Sequence, residues 1–287
     1  MDYLTALIYG IIQGLCEFLP ISSSGHLALL PLMLKIEDPG VFFDLMMHLG
    51  TTFSILIYFR KTLASIFKSA WNHYIQKRPS NTSEKSEVAI FTNIAIATIV
   101  SVLAILVLKP FSEIYARNHL LIAFNLIVFG ILLYLADWRS KRNGTHEAKE
   151  HDHEALARIN MTFATLVGLA QAIAIFPGVS RSGITLTAVL LFGCSRKSSA
   201  HFIFLLSIPV IVIGSLKAIF DVIKTPGTQE SVPYGPLLFG LFVSFLIGLL
   251  AIHYFLKWFR SFGIAPFTIY RIGLGVVILY LGDFLLK

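Results

Sequence analysis

Charge is what this chain has least of. Aspartate, glutamate, lysine and arginine make up 14% of its 287 residues, against about 25% in a soluble globular domain. With 56% hydrophobic residues and a mean hydropathy of +0.76, there is too little polar surface to cover a soluble globule. The same hydrophobicity excludes disorder. The two cysteines, Cys16 and Cys194, lie in apolar or small-residue stretches without framework spacing, so no disulfide scaffold is read. A basic signal-peptide start is also missing, since Met1 to Tyr9 carries Asp2 and no base. What remains is a polytopic membrane protein. Its net charge of +7 then speaks of topology, and no nucleic acid is expected as a partner.

A spanning helix needs about 20 largely apolar residues. Six stretches qualify, about 41–59, 88–108, 120–136, 200–220, 237–256 and 267–286. Two more apolar regions, 3–34 and 163–192, are cut near their middles by Pro20-Ile21-Ser22-Ser23-Ser24-Gly25 and by Pro177-Gly178-Val179-Ser180-Arg181-Ser182-Gly183. The arm after each break is too short to cross about 30 Å, so both regions read as re-entrant hairpins. Backbone that is irregular at membrane depth must be buried in protein or line a wet cavity. If both hairpins return to the side they entered, the loops 60–87, 138–160 and 257–266 and the exit of the second hairpin share one face. That face carries 15 of the 23 lysines and arginines, which makes it the inner one and places both termini and the first hairpin outside.

The chain also repeats itself. A shift of 158 residues lays Gly10, Gln13, Phe18, Ser22, Ser24 and Gly25 on Gly168, Gln171, Phe176, Ser180, Ser182 and Gly183. The first repeat is read as 1–137 and the second as 161–287, joined by an inner linker, 138–160. Each has one hairpin and three spans, an odd number, so the repeats are inverted relative to each other. In transporters that arrangement puts a binding site at the repeat interface. The fold expected is all-α and integral to the membrane, with six transmembrane helices and two re-entrant helical hairpins.

Ionisable groups inside spans are rare and default to function. The first break offers Glu17 and His26 with Gln13, Ser22, Ser23, Ser24 and Gly25. The second offers Arg181 with Gly178, Ser180, Ser182, Gly183 and Thr185. Gln13 and Glu17, four apart, share a helix face. An arginine fork, hydroxyls and the N-terminus of a restarting helix suit phosphate. Each residue also has a plainer reading. Glu17 could satisfy only hairpin N–H groups, His26 could be a cap, and the serines could be turn formers.

The runs Gln13-Gly-Leu-Cys-Glu17-Phe-Leu-Pro20, Ser22-Ser23-Ser24-Gly25-His26 and Pro177 to Thr185 resemble the signature regions of the bacterial undecaprenyl-diphosphatase family linked to bacitracin resistance. Phe267-Thr-Ile-Tyr270-Arg271 resembles its C-terminal region. The resemblance covers the whole chain. Gln13 is an allowed variant of the first motif, one carboxylate fewer, and His201 stands where better-known members carry an acid.

The resemblance implies an enzyme of the bacterial inner membrane that removes the terminal phosphate from a polyprenyl diphosphate, at a site open to the periplasmic face. It implies a divalent cation, Mg2+ or Ca2+, with Glu17 as a ligand, and it allows a homodimer. Arg181 would hold the diphosphate; Glu17 would be base or cation ligand; Ser23 or His26 would attack phosphorus, a choice the sequence leaves open. The rivals are a polyprenyl-phosphate flippase or secondary transporter, which would need no base or nucleophile, and a small-anion channel, for which the spans are too bare.

Other residues draw blander readings. Asp44 and His48 either back the site as a pair or sit hydrated near the outer interface. His146, Glu147, His151, Asp152 and His153 belong to a solvated loop, since their spacing fits no structural zinc pattern. Asn81-Thr82-Ser83 has no use as a glycosylation site on an inner face, and Trp138, Trp258 and Tyr270 read as interface anchors. The topology has a direct check. A cysteine at Lys109 is expected to react with an impermeant thiol reagent applied from outside, and one at Lys149 is not; the reverse labelling turns the site to the cytoplasm.

Overall fold

The structure, a computed structural model, describes residues 2–116, 118–144, 160–224 and 234–285. The histidine-rich run from His146 to His153 lies outside them. The described residues form eleven helices and no strand: α1 (Tyr3–Cys16), α2 (Ser23–Leu34), α3 (Gly40–Tyr58), α4 (Arg60–Tyr74), α5 (Thr82–Ile114), α6 (His119–Arg142), α7 (Met161–Ile173), α8 (Arg181–Leu191), α9 (Arg196–Lys224), α10 (Tyr234–Phe262) and α11 (Ala265–Leu285).

Short polar side chains set several helix starts by accepting otherwise orphaned N–H groups. Asp2 caps α1 through Thr5, Asn118 caps α6 through Leu121, and Asn160 caps α7 through Phe163. Asn81 and Glu84 form a reciprocal capping box on α5.

Four helices are long and apolar enough to cross a membrane by themselves, within α5, α6, α9 and α10, and α3 with α4 makes a fifth candidate bent by 75°. The protein is therefore multi-pass. The sixth expected span falls on α11, whose apolar part, Ala265–Tyr280, is shorter. The arms α1, α2, α7 and α8 have 14, 12, 13 and 11 residues, at most about 21 Å at 1.5 Å per residue. None of them can span alone.

One expectation needs correcting. The segment 60–87, read as a loop, begins with α4. Ile66, Ser69 and Ala70 are its buried face; Ser65 and Ser69 donate to Glu87 at 2.6 and 2.7 Å. Phe67 and Trp71 stay exposed beside Lys61 and Lys68. Such an amphipathic helix, with lysines among its apolar residues, is passed over by a search for long apolar runs.

The two hairpins dock alike. A Cβ on Gly10 of α1 would lie 2.6 Å from the Gly240 carbonyl and 2.9 Å from Val243 of α10; one on Gly168 of α7 would lie 2.6 Å from the Ala97 carbonyl and 3.0 Å from Val100 of α5. Small residues let backbones approach this closely in membrane proteins. Serines then fasten the helices: Ser101 donates to the Gly168 carbonyl at 2.9 Å and Ser244 to the Met47 carbonyl at 2.8 Å. A core of Phe18, Phe204, Phe255 and Phe259 with Leu133, Val167 and Leu186 fills the space between.

At the end of α6, Asp137 takes both arms of Arg196, at 2.7 and 2.8 Å. Gly263, at φ +74°, leaves room for that fork in the turn between α10 and α11. The pair is buried, so removing one partner strands the other. Asp137→Ala is expected to destabilise the protein by about 3–5 kcal/mol, read as a lower melting temperature in detergent with a monodisperse elution profile still tested alongside.

Candidate active site

Each break is built around a serine in a conformation that serine seldom adopts. Ser22 has φ +76° and Ser180 φ +72°, a region that costs a non-glycine residue of order 1 kcal/mol or more. What each gains is a cap. Ser22 Oγ accepts from the Gly25 N–H at 3.2 Å and Ser180 Oγ from the Gly183 N–H at 3.1 Å. The first N–H groups of α2 and α8, those of Ser23, Ser24, Arg181 and Ser182, have no acceptor within their helices. Two positive helix ends thus start at one place.

The breaks touch. A Cβ on Gly25 would sit 3.3 Å from Gly178 Cα, and Ser182 Oγ donates to the Leu19 carbonyl at 3.2 Å. Behind them lies Arg271 of α11, fully buried. Its guanidinium donates to five carbonyls, those of Pro20, Asn125, Leu126, Gly178 and Val179, at 2.9 to 3.3 Å. Asn125 holds the Pro177 carbonyl as well, at 2.8 Å. A Cβ on Gly183 would lie 2.7 Å from Arg271 Nη1, so that position must stay small.

In front lies a chamber of about 40 Å³ lined by Glu17, Ser23, Ser24, His48, Ala174, Ser180, Arg181 and Ser182. Glu17 is buried and organises it. Its Oε2 accepts from Ser23 Oγ at 2.6 Å and from Gln13 Nε2 at 3.0 Å, with His48 Nδ1 also at 3.0 Å. Its Oε1 faces Arg181 Nη1 across the chamber at 3.3 Å. His48 Nδ1 lies 2.7 Å from Gln13 Nε2, and so either accepts from the amide or, when protonated, donates to the carboxylate. An amide at position 13 gives Glu17 a donor where a second carboxylate would repel it.

The remaining expected residues surround this group. Gly25, Gly178 and Gly183 set the spacing of the tips; Thr185 caps back onto the Arg181 carbonyl at 2.7 Å. His26 does not line the chamber. Its Nδ1 contacts the Ser22 carbonyl at 2.7 Å and its Nε2 the Tyr270 hydroxyl at 2.7 Å. Two residues given no site role from the sequence belong here, Tyr270 and Arg271, and His48, read from the sequence as either backing the site with Asp44 or hydrated near the outer interface, lies in the site. The signal for His48 and Arg271 was an ionisable group inside an apolar run; Tyr270 carried none beyond its place in the Phe267–Arg271 run.

A family profile described as bacitracin resistance protein BacA matches residues 6–277. The chain belongs to that family. Among curated BacA relatives, undecaprenyl-diphosphatase of Marinobacter nauticus is 40% identical, over 97% of this chain and 98% of that one. Undecaprenyl-diphosphatase 1 of Pseudoalteromonas translucida is 38% identical over 96% and 97%. Undecaprenyl-diphosphatase of Campylobacter concisus is 37% identical over 98% and 99%.

Arg271 gives the sharpest structural test. Each carbonyl left without a donor costs roughly 1–3 kcal/mol. Arg271→Lys, which keeps the charge but not the fork, is expected to lower the melting temperature by several degrees, and Arg271→Met to aggregate on extraction. A Lys variant as stable as the parent would remove Arg271 from this role.

Proposed function

We propose that this BacA-family chain hydrolyses undecaprenyl diphosphate to undecaprenyl phosphate and phosphate, recycling the lipid carrier of cell-wall synthesis and so giving bacitracin resistance. The observation that carries the chemistry is the 2.6 Å contact between Ser23 Oγ and the Glu17 carboxylate, with Arg181 opposite. A hydroxyl that close to a buried carboxylate is an activated nucleophile. Glu17 takes the Ser23 proton as Oγ attacks the terminal phosphorus and passes it to the bridging oxygen as that P–O bond breaks and undecaprenyl phosphate leaves. The regenerated carboxylate then deprotonates the water that attacks the phosphoserine, and its proton returns to Ser23 Oγ as phosphate departs. The incoming diphosphate displaces Glu17 from Arg181, whose fork, with the N-termini of α2 and α8, offsets the charge that develops on the transferred group.

His26 is the less favoured nucleophile, because both ring nitrogens are engaged away from the chamber. Its role is to hold the Ser22 turn. Among the described residues no three His, Cys, Asp or Glu side chains form a metal cluster. Glu17 and the buried, unpartnered Oε1 of Gln13 suit Mg2+ or Ca2+ that also takes diphosphate oxygens, as Mg2+ commonly does. Such an ion would neutralise phosphate charge.

The same reading includes six spans and two re-entrant hairpins in inverted repeats, a bacterial plasma-membrane location, a chamber open to the periplasmic side and room for a homodimer. The like-built breaks and the matched docking of α1 and α7 support the repeat. Neither the chamber nor the relatives favour a flippase.

Phosphate release from farnesyl or undecaprenyl diphosphate by purified protein tests this. Glu17→Ala, Ser23→Ala and Arg181→Ala are each expected to lose at least about a hundredfold in kcat, in line with removal of a nucleophile, base or charge clamp, while the melting temperature stays measurable. Ser23→Ala with normal turnover would return the nucleophile to His26. Chelation is expected to lower the rate of the parent, and no response to chelator sinks the cation.

A further inference from the structure

Away from the chamber, α6 and α8 enclose a second groove of about 580 Å³. Its walls are apolar: Leu132 and Leu135 on α6 and Leu191 on α8, each about half exposed. At the end where α6 stops, the lining changes to Trp138, Arg139 and Arg142. Arg142 sits over the Trp138 ring, 5.5 Å from its centre. Neither arginine pairs with a carboxylate among the described residues. Asp137, two positions from Arg139, takes both arms of Arg196.

We infer that this groove is a binding site for an anionic phospholipid of the leaflet in which α6 ends. The sequence of chemistries along it is that of a lipid: an apolar trough for an acyl chain, an indole at the depth where indoles settle, then two guanidinium forks suited to a phosphodiester. Two cations without a carboxylate partner among the described residues favour a headgroup with net negative charge over a zwitterionic one, whose ammonium they repel. They also count against a second copy of this chain, because a twofold interface here would bring Arg139, Lys141 and Arg142 of both copies together. The bound lipid packs on Thr187 and Leu191, the far half of the helix that begins at Arg181, and so steadies α8 from outside the chamber.

Melting of the purified full chain in a neutral detergent, with phosphatidylglycerol or phosphatidylcholine added, tests the inference. Phosphatidylglycerol is expected to raise the melting temperature by several degrees more than phosphatidylcholine. R139Q/R142Q together should at least halve that difference while turnover without added lipid stays at the parental rate. Leu135→Trp, which fills the trough and keeps both arginines, should halve it too and serves if the double variant folds poorly. Equal shifts by both lipids, or a full phosphatidylglycerol shift in either variant, overturns the site. So does cysteine cross-linking of two copies through position 135, which would make the groove a protein interface.

Discussion

A single guanidinium makes the rest of the site possible. Two chain breaks deep among apolar helices expose carbonyls that lipid cannot satisfy, and Arg271 answers three of them, those of Pro20, Gly178 and Val179, while also donating to the Asn125 and Leu126 carbonyls of α6. Only arginine has enough donors in a fixed fork to do so. Its positive charge is balanced by carbonyl dipoles rather than by an acid, so it takes no counter-charge from the chamber a few ångströms in front. The protein thereby keeps two arginines near each other with distinct tasks, one facing backbone and one facing the reaction.

With the tips fixed, the chemistry follows from short distances. Glu17 is the meeting point of α1, α2, α3 and α8, touched by Gln13, Ser23, His48 and Arg181. No separate pocket has to be carved. Because each broken region restarts as a helix at the same point, the anion site consists largely of backbone N–H groups and caps, which stay in place whatever the side chains do.

Much of this was legible in the residues. Low charge gave the membrane class, and the Pro-Gly-Ser clusters at Pro20 to Gly25 and Pro177 to Gly183 marked the breaks, because no side-chain pattern but a turn explains them. The repeat pointed to Arg181 opposite Glu17. What was hidden depended on direction. His48 could have faced solvent or the site, since a four-residue spacing with Asp44 fixes a helix face but not what that face meets. Tyr270 looked like an interface anchor because composition cannot show that His26 lies within reach. The helix α4 escaped because its apolar stripe is interrupted by lysines.

The contact between Arg181 and Glu17 has a consequence for turnover. Covalently tethered to the same scaffold, the carboxylate competes with any phosphate for the guanidinium at a fixed local strength. A diphosphate, richer in charge, wins that contest more readily than the monophosphate left after cleavage. On the proposed chemistry, hydrolysis would therefore weaken the enzyme's grip on its own product, and the lipid would drift back into the bilayer without a gate having to open.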